Sequence, residues 1–63
     1  MTRPSFEYYC ARRADWRWRL RAGNGEIIAH GQGYTRKADV LRAIRTIRLA
    51  MERAPEPVRV ELV

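Results

Sequence analysis

Three arginines stand at alternate positions in the stretch Asp15-Trp-Arg-Trp-Arg-Leu-Arg21, interleaved with Trp16, Trp18 and Leu20. A strand sends successive side chains to opposite faces. One face of this segment is therefore two tryptophans and a leucine, and the other is three arginines. Guanidinium forks spaced this way can clamp phosphates, or they can meet carboxylates across a protein interface. They can also lie solvated, with their stems over apolar surface and their heads in water. Glu7, Glu26 and Glu61 are the carboxylates that could neutralise them. The net charge of +6 and pI of about 10.7 fall where nucleic-acid binders fall. Yet 12 of the 13 basic residues are arginine, a bias that GC-rich coding also produces.

Other chemistry finds little support. Cys10 and His30 are the single cysteine and histidine, so the chain can close neither an internal disulfide nor a structural zinc site. Cys10 reads as a small buried hydrophobe rather than a reactive thiol. No carboxylates are placed for paired acid–base work, and His30 has no nucleophile near it in sequence. We expect no catalytic residues, no metal and no cofactor. Trp16 and Trp18 could stack bases, but they share a face with Leu20 and read better as core. Gly31-Gln-Gly-Tyr34 ahead of a helix could cradle an anion. Without the lysine-serine ending of a phosphate loop it reads as a hinge, with Tyr34 packing at the helix entry.

The elements that position these residues follow from periodicity. Residues 1–4 look like a lead-in. Phe6 to Ala11 reads as a first strand and Trp16 to Ala22 as a second. Asn24-Gly25 is a hairpin turn signal, and Glu26 to Ala29 reads as a third strand. Thr35 is placed to cap a helix running from about Arg36 to Arg53. Its apolar stripe is Val40, Leu41, Ile44, Ile47 and Met51. Pro55 and Pro57 stop it. Val58 to Val63 alternates again as a short final strand. The expected fold is α+β: a three-stranded antiparallel sheet packed against one helix, βββα, with a short C-terminal strand.

An odd first loop, Ala11 to Asp15 or Arg13 to Asp15, puts Phe6, Tyr8, Cys10, Trp16, Trp18 and Leu20 under the helix. The far face then carries Glu7, Tyr9, Arg17, Arg19 and Arg21 with Ile27 or Ile28. A two-residue Asn24-Gly25 turn selects Ile28. That face is too apolar for pure solvation and too charged for a core. On the helix, Arg42, Arg45, Leu49 and Arg53 cluster opposite the apolar stripe.

Trp16-Arg-Trp-Arg-Leu-Arg-Ala22, Asn24-Gly-Glu-Ile-Ile-Ala29, Gly33-Tyr34 and Lys37 closely resemble the YegP-like family, small bacterial and archaeal proteins grouped as a domain of unknown function. The similarity spans roughly Phe6 to Ile47. It implies a three-stranded antiparallel sheet with a helix, present as tandem copies or, as in this single-copy chain, as a homodimer. It also implies a glycine in the first loop, where this chain has Ala14, and a segment after Tyr34 rich in serine and alanine. Here Arg36, Arg42, Arg45 and Arg48 make that helix basic.

One domain over residues 1–63 is thus expected, soluble, cytoplasmic and without a membrane span. So short a chain buries only about 60% of its unfolded surface, which makes a partner subunit the available stabiliser. The expected function is a non-catalytic homodimeric binding module, with Tyr9, Arg17, Arg19, Arg21 and Ile28 at the dimer interface. Two alternatives stand beside it. One is polyanion or nucleic-acid binding through Arg17, Arg19 and Arg21 or through the basic helix. The other is an adaptor or inhibitor docking Arg42, Arg45, Leu49 and Arg53 onto an acidic protein.

Overall fold

A computed structural model describes residues 3–61. Its elements run β1 (Ser5–Arg12), β2 (Asp15–Arg21), β3 (Ile27–Tyr34) and α1 (Lys37–Arg53). The strands form one antiparallel sheet in the order β1-β2-β3. This is the expected α+β arrangement of three strands and a helix.

The first hairpin has the odd loop that the face pattern demands. Phe6 pairs with Leu20, Tyr8 with Trp18 and Cys10 with Trp16, leaving Ala11 to Asp15 between. Arg12 then meets Asp15 beyond a bulge at Ala11. The turn closes through Ala14, whose φ of 57° lies in the left-handed region. An alanine pays for that conformation with a clash of its Cβ against the backbone, so this position suits glycine.

The second hairpin is not the two-residue turn expected. The Gly25 N–H donates to the Ala22 carbonyl at 2.9 Å, and the Ala22 N–H donates to the Glu26 carbonyl at 2.8 Å. The loop is therefore three residues, Gly23-Asn24-Gly25, with Gly25 taking the positive φ of 89°. The Asn24 side-chain oxygen accepts from the Glu26 N–H at 3.0 Å. This extra residue shifts the register: Arg21 pairs with Ile27, Leu20 with Ala29, and Ile28 is the unpaired residue of a bulge.

β3 also continues five residues further than its sequence suggests, through the glycines expected to break it. Gly31 pairs with Trp18, and a Cβ built on it would lie 2.2 Å from the Trp18 indole nitrogen. The missing side chain makes room for the indole to lie across the strand. Gly33, with φ of 90°, sits in a second irregularity between the Trp18 and Trp16 pairings. Gly31 to Tyr34 are thus strand rather than hinge.

The helix covers the Trp face. Trp18 and Leu20 are each 7% exposed and Val40 is fully buried. Phe6, Trp16, Ala29, Tyr34, Ile44 and Ile47 pack around them. The Phe6 and Trp18 rings meet at 5.8 Å between centroids, tilted by 55°. The Trp18 indole N–H donates to the Tyr34 hydroxyl at 3.4 Å. Leu41 and Met51 of the expected stripe are exposed.

Three further expectations change. Arg36, not Thr35, is the residue before the helix, and no side chain caps it. Cys10 is exposed, because it lies at the hairpin end of an edge strand and has a neighbouring strand on one side only. Residues 58–61 form no strand; they follow Pro55 and Pro57 without regular structure, with Val58 and Val60 exposed, and residues 62 and 63 of that expectation lie outside the described residues.

Two substitutions test this account. Ala14→Gly should raise stability by about 1 kcal/mol, read as a higher melting temperature. Gly31→Ala should lower it by about 1–3 kcal/mol through overpacking against Trp18; an unchanged melting temperature would mean that the indole does not rest there.

Candidate functional site

The far face of the sheet is built as the alternation requires. Glu7 pairs across from Arg19 and Tyr9 from Arg17, and on the other side His30 stands opposite Arg19 and Ile27 opposite Arg21. The pleat thus gathers three arginines, a glutamate, a tyrosine, a histidine and an isoleucine on one surface. Ile27 takes the place expected for Ile28, because the three-residue turn moves the register by one. Tyr9, Arg17, Arg19, Ile27, His30 and Gln32 line a shallow hollow of about 220 Å³ there. The sequence offers Ile27 only as the alternative to Ile28 and does not place His30 or Gln32 on this face, since their facing depends on two bulges in β3.

The arginines are not free. Arg17 holds Asp15 side-on, donating from Nε at 3.3 Å and from Nη2 at 2.8 Å. Arg19 donates from Nε to Glu7 Oε1 at 2.5 Å, and Arg21 donates from Nε to the same oxygen at 3.0 Å. Arg21 also reaches back to the Gly25 carbonyl at 2.6 Å. The Arg19 guanidinium lies 5.2 Å from the centre of the Tyr9 ring, within cation–π range. Two carboxylates therefore answer three arginines. Glu7 was foreseen as a neutraliser, Asp15 was not, and Glu61 pairs with Arg59 at 2.9 Å instead.

These contacts set the titration of the face. The hydrogen bonds from Arg19 and then Arg21 hold the Glu7 carboxyl below its ordinary 4.5. The hydrogen bond from Arg17 does the same for Asp15, below 3.8. Hydrogen bonding and positive charge both favour the ionised carboxylate.

Cys10 and His30 fall on opposite faces, since Cys10 pairs within the Trp face and His30 pairs with Arg19. The helix set is separate as well. Arg42, Arg45, Leu49 and Arg53 are exposed on α1, across the sheet from Arg17, Arg19 and Arg21. The two groups of cations are therefore two surfaces and not one site. No helix is long and apolar enough to cross a membrane among the described residues.

A carboxylate whose folded pKa is depressed contributes stability above its unfolded value and loses it as pH falls through the folded one. Stability carried by Glu7 should accordingly be complete above pH 4.5 and decline below it. Glu7→Gln should flatten that acid limb in thermal melts taken across pH, whereas a parallel limb in the variant would remove Glu7 from the account.

Comparison with known proteins identifies a family. The family model described as "Domain of unknown function (DUF1508)" matches residues 12–59. The chain is 40% identical over 50 residues to the UPF0339 protein NMB1088 of Neisseria meningitidis serogroup B, covering 79% of this chain and 89% of that protein. It is 42% identical over 57 residues to a UPF0339 protein of Treponema denticola, covering 90% and 93%. Against a UPF0339 protein of the archaeon Methanosarcina acetivorans it is 40% identical over 50 residues, covering 79% and 81%. No solved structure gives a significant match. With β2, β3 and the whole helix inside the span matched by the family model, the chain belongs to the DUF1508 family of UPF0339 proteins, the YegP-like family whose WRWRL and NGEIIA motifs form its second strand and second hairpin.

Proposed function

We propose that the protein is a non-catalytic binding module that works as a symmetric homodimer. The observation that carries this reading is its surface. The chain exposes 5771 Å², whereas a compact monomer of 7.4 kDa exposes about 4,200 Å². Its radius of gyration is 13.8 Å, against about 11 Å for a compact domain of this length. The excess exceeds the roughly 800 Å² per partner of a standard interface.

The chemistry of the far face supports it as part of the contact. A two-fold interface sets one copy's patch against the same patch of the other. Three bare arginines would repel there. Glu7 and Asp15 reduce their charge to a net +1, leaving Tyr9 and Ile27 as half-exposed apolar surface between the ion pairs. Committing the arginines to carboxylates also counts against a phosphate clamp on this face. The tail extends the contact: Val58 is 79% exposed and Val60 70%, and their alternation suits pairing with a second chain's sheet.

Sedimentation equilibrium at micromolar concentration should give twice the 7.4 kDa chain mass. Removing residues 58–63, or introducing Tyr9→Asp with Ile27→Asp, should return it to one. A single-chain mass for the unaltered protein across the micromolar range would reject the proposal.

A further inference from the structure

The excess positive charge of this protein is not where the sequence displays it most openly. Residues 5–34 carry five arginines against Glu7, Asp15 and Glu26, a net +2, and the central three arginines are engaged. Residues 36–53 carry six cations against Asp39 and Glu52, a net +4. There Asp39 serves two arginines at the limit of ion pairing, Arg36 at 3.7 Å and Arg42 at 3.8 Å. Among the described residues Arg45, Arg48 and Arg53 have no carboxylate in range. All three are exposed.

Their arrangement is linear. At 100° per residue Arg42, Arg45, Leu49 and Arg53 fall along one ridge of α1, opposite Val40, Ile44 and Ile47, with Arg48 on the side of the helix between the ridge and that stripe. From Arg42 to Arg53 the ridge is about 17 Å long. We infer that this ridge binds the phosphate backbone of nucleic acid, without reading its sequence.

The ridge excludes the competing occupants by what it lacks. A protein interface is anchored by desolvated aromatic or aliphatic groups at its centre, and Leu49 is the sole large apolar side chain on this line. A helix lying on a membrane buries a broad apolar face, and the centre of that face on α1, Val40, Ile44 and Ile47, is packed on the sheet. Charge alone remains. Duplex nucleic acid presents one phosphate charge per about 1.7 Å of its axis, dense enough to meet every arginine along the ridge. Arginine also grips phosphate with two donors at once. Few of these donors have an intramolecular partner to give up. The inference stands whether or not the chain pairs with itself.

Fluorescence anisotropy with short labelled DNA and RNA duplexes of mixed sequence tests it. Both should bind at low salt, and log K should fall with log salt at a slope of about −3 to −4 per chain, as four phosphate contacts require. Arg45→Glu with Arg48→Glu and Arg53→Glu should weaken binding at least about tenfold and flatten the slope. The corresponding glutamine triple keeps the test valid should the glutamate triple lose helicity by circular dichroism. Arg17→Gln with Arg21→Gln on the sheet should leave binding intact. Absence of binding to either duplex at low salt would overturn the inference. So would loss of binding in the sheet variant alone. Displacement of the duplex by polyglutamate at equal charge concentration would assign the ridge to an acidic protein instead and overturn it as well.

Discussion

The contact between the Trp18 indole and the bare backbone at Gly31 is the constraint on which the rest of this small fold depends. The chain is too short to enclose a deep interior, and its core is one tryptophan, one leucine and one valine with a ring of half-covered neighbours. The indole reaches its place because β3 offers no Cβ beneath it. From there it touches Phe6 on β1 and Tyr34 at the end of β3. One side chain thereby ties together all three strands, and the helix closes over it through Val40. Pinning Trp18 also pins the pleat, and the pleat sends every arginine of β2 to the other side.

How much of this is legible in the sequence depends on which residue sets the geometry. The alternation of Trp16, Trp18 and Leu20 with the arginines fixes two faces without ambiguity, because a strand has a period of two. The parity of the first loop follows from it, since only an odd loop keeps Glu7 and Tyr9 with the arginines. The helix and its end at Pro55 are equally plain. What escapes is decided by single residues in unusual backbone conformations. Gly25 turns the second hairpin in three residues where Asn24-Gly25 suggests two, and so exchanges Ile28 for Ile27. Gly31 and Gly33 look like breakers, and their part in the strand depends on a tryptophan 13 residues earlier and on a bulge. The partner of Arg17 is Asp15 on its own strand, two residues away and on the same face, a pairing that cross-strand reasoning overlooks.

Charge divides along the same line as packing. The sheet must bring its arginines together, because period two leaves them nowhere else to go, and it answers them with carboxylates at hydrogen-bond distance. The helix has no such obligation. Its cations point outward from a cylinder already anchored on its other side, and they stay exposed. A net charge summed over the whole chain hides this division: one surface is self-compensated and suited to meeting its like, and the other is bare and suited to an opposite charge.

The two bulges in β3 bear on how far such a sheet can grow. β3 is an edge strand, and a straight edge is a template onto which further chains add without end. The extra residue at Ile28 and the irregularity near Gly33 interrupt the row of outward backbone groups at both ends of the strand. A newcomer would find no continuous ladder there, so the protein carries its own barrier against fibril growth on that side, whereas on the β1 side the only irregularity in its pairing with β2 lies near Cys10, at the hairpin end.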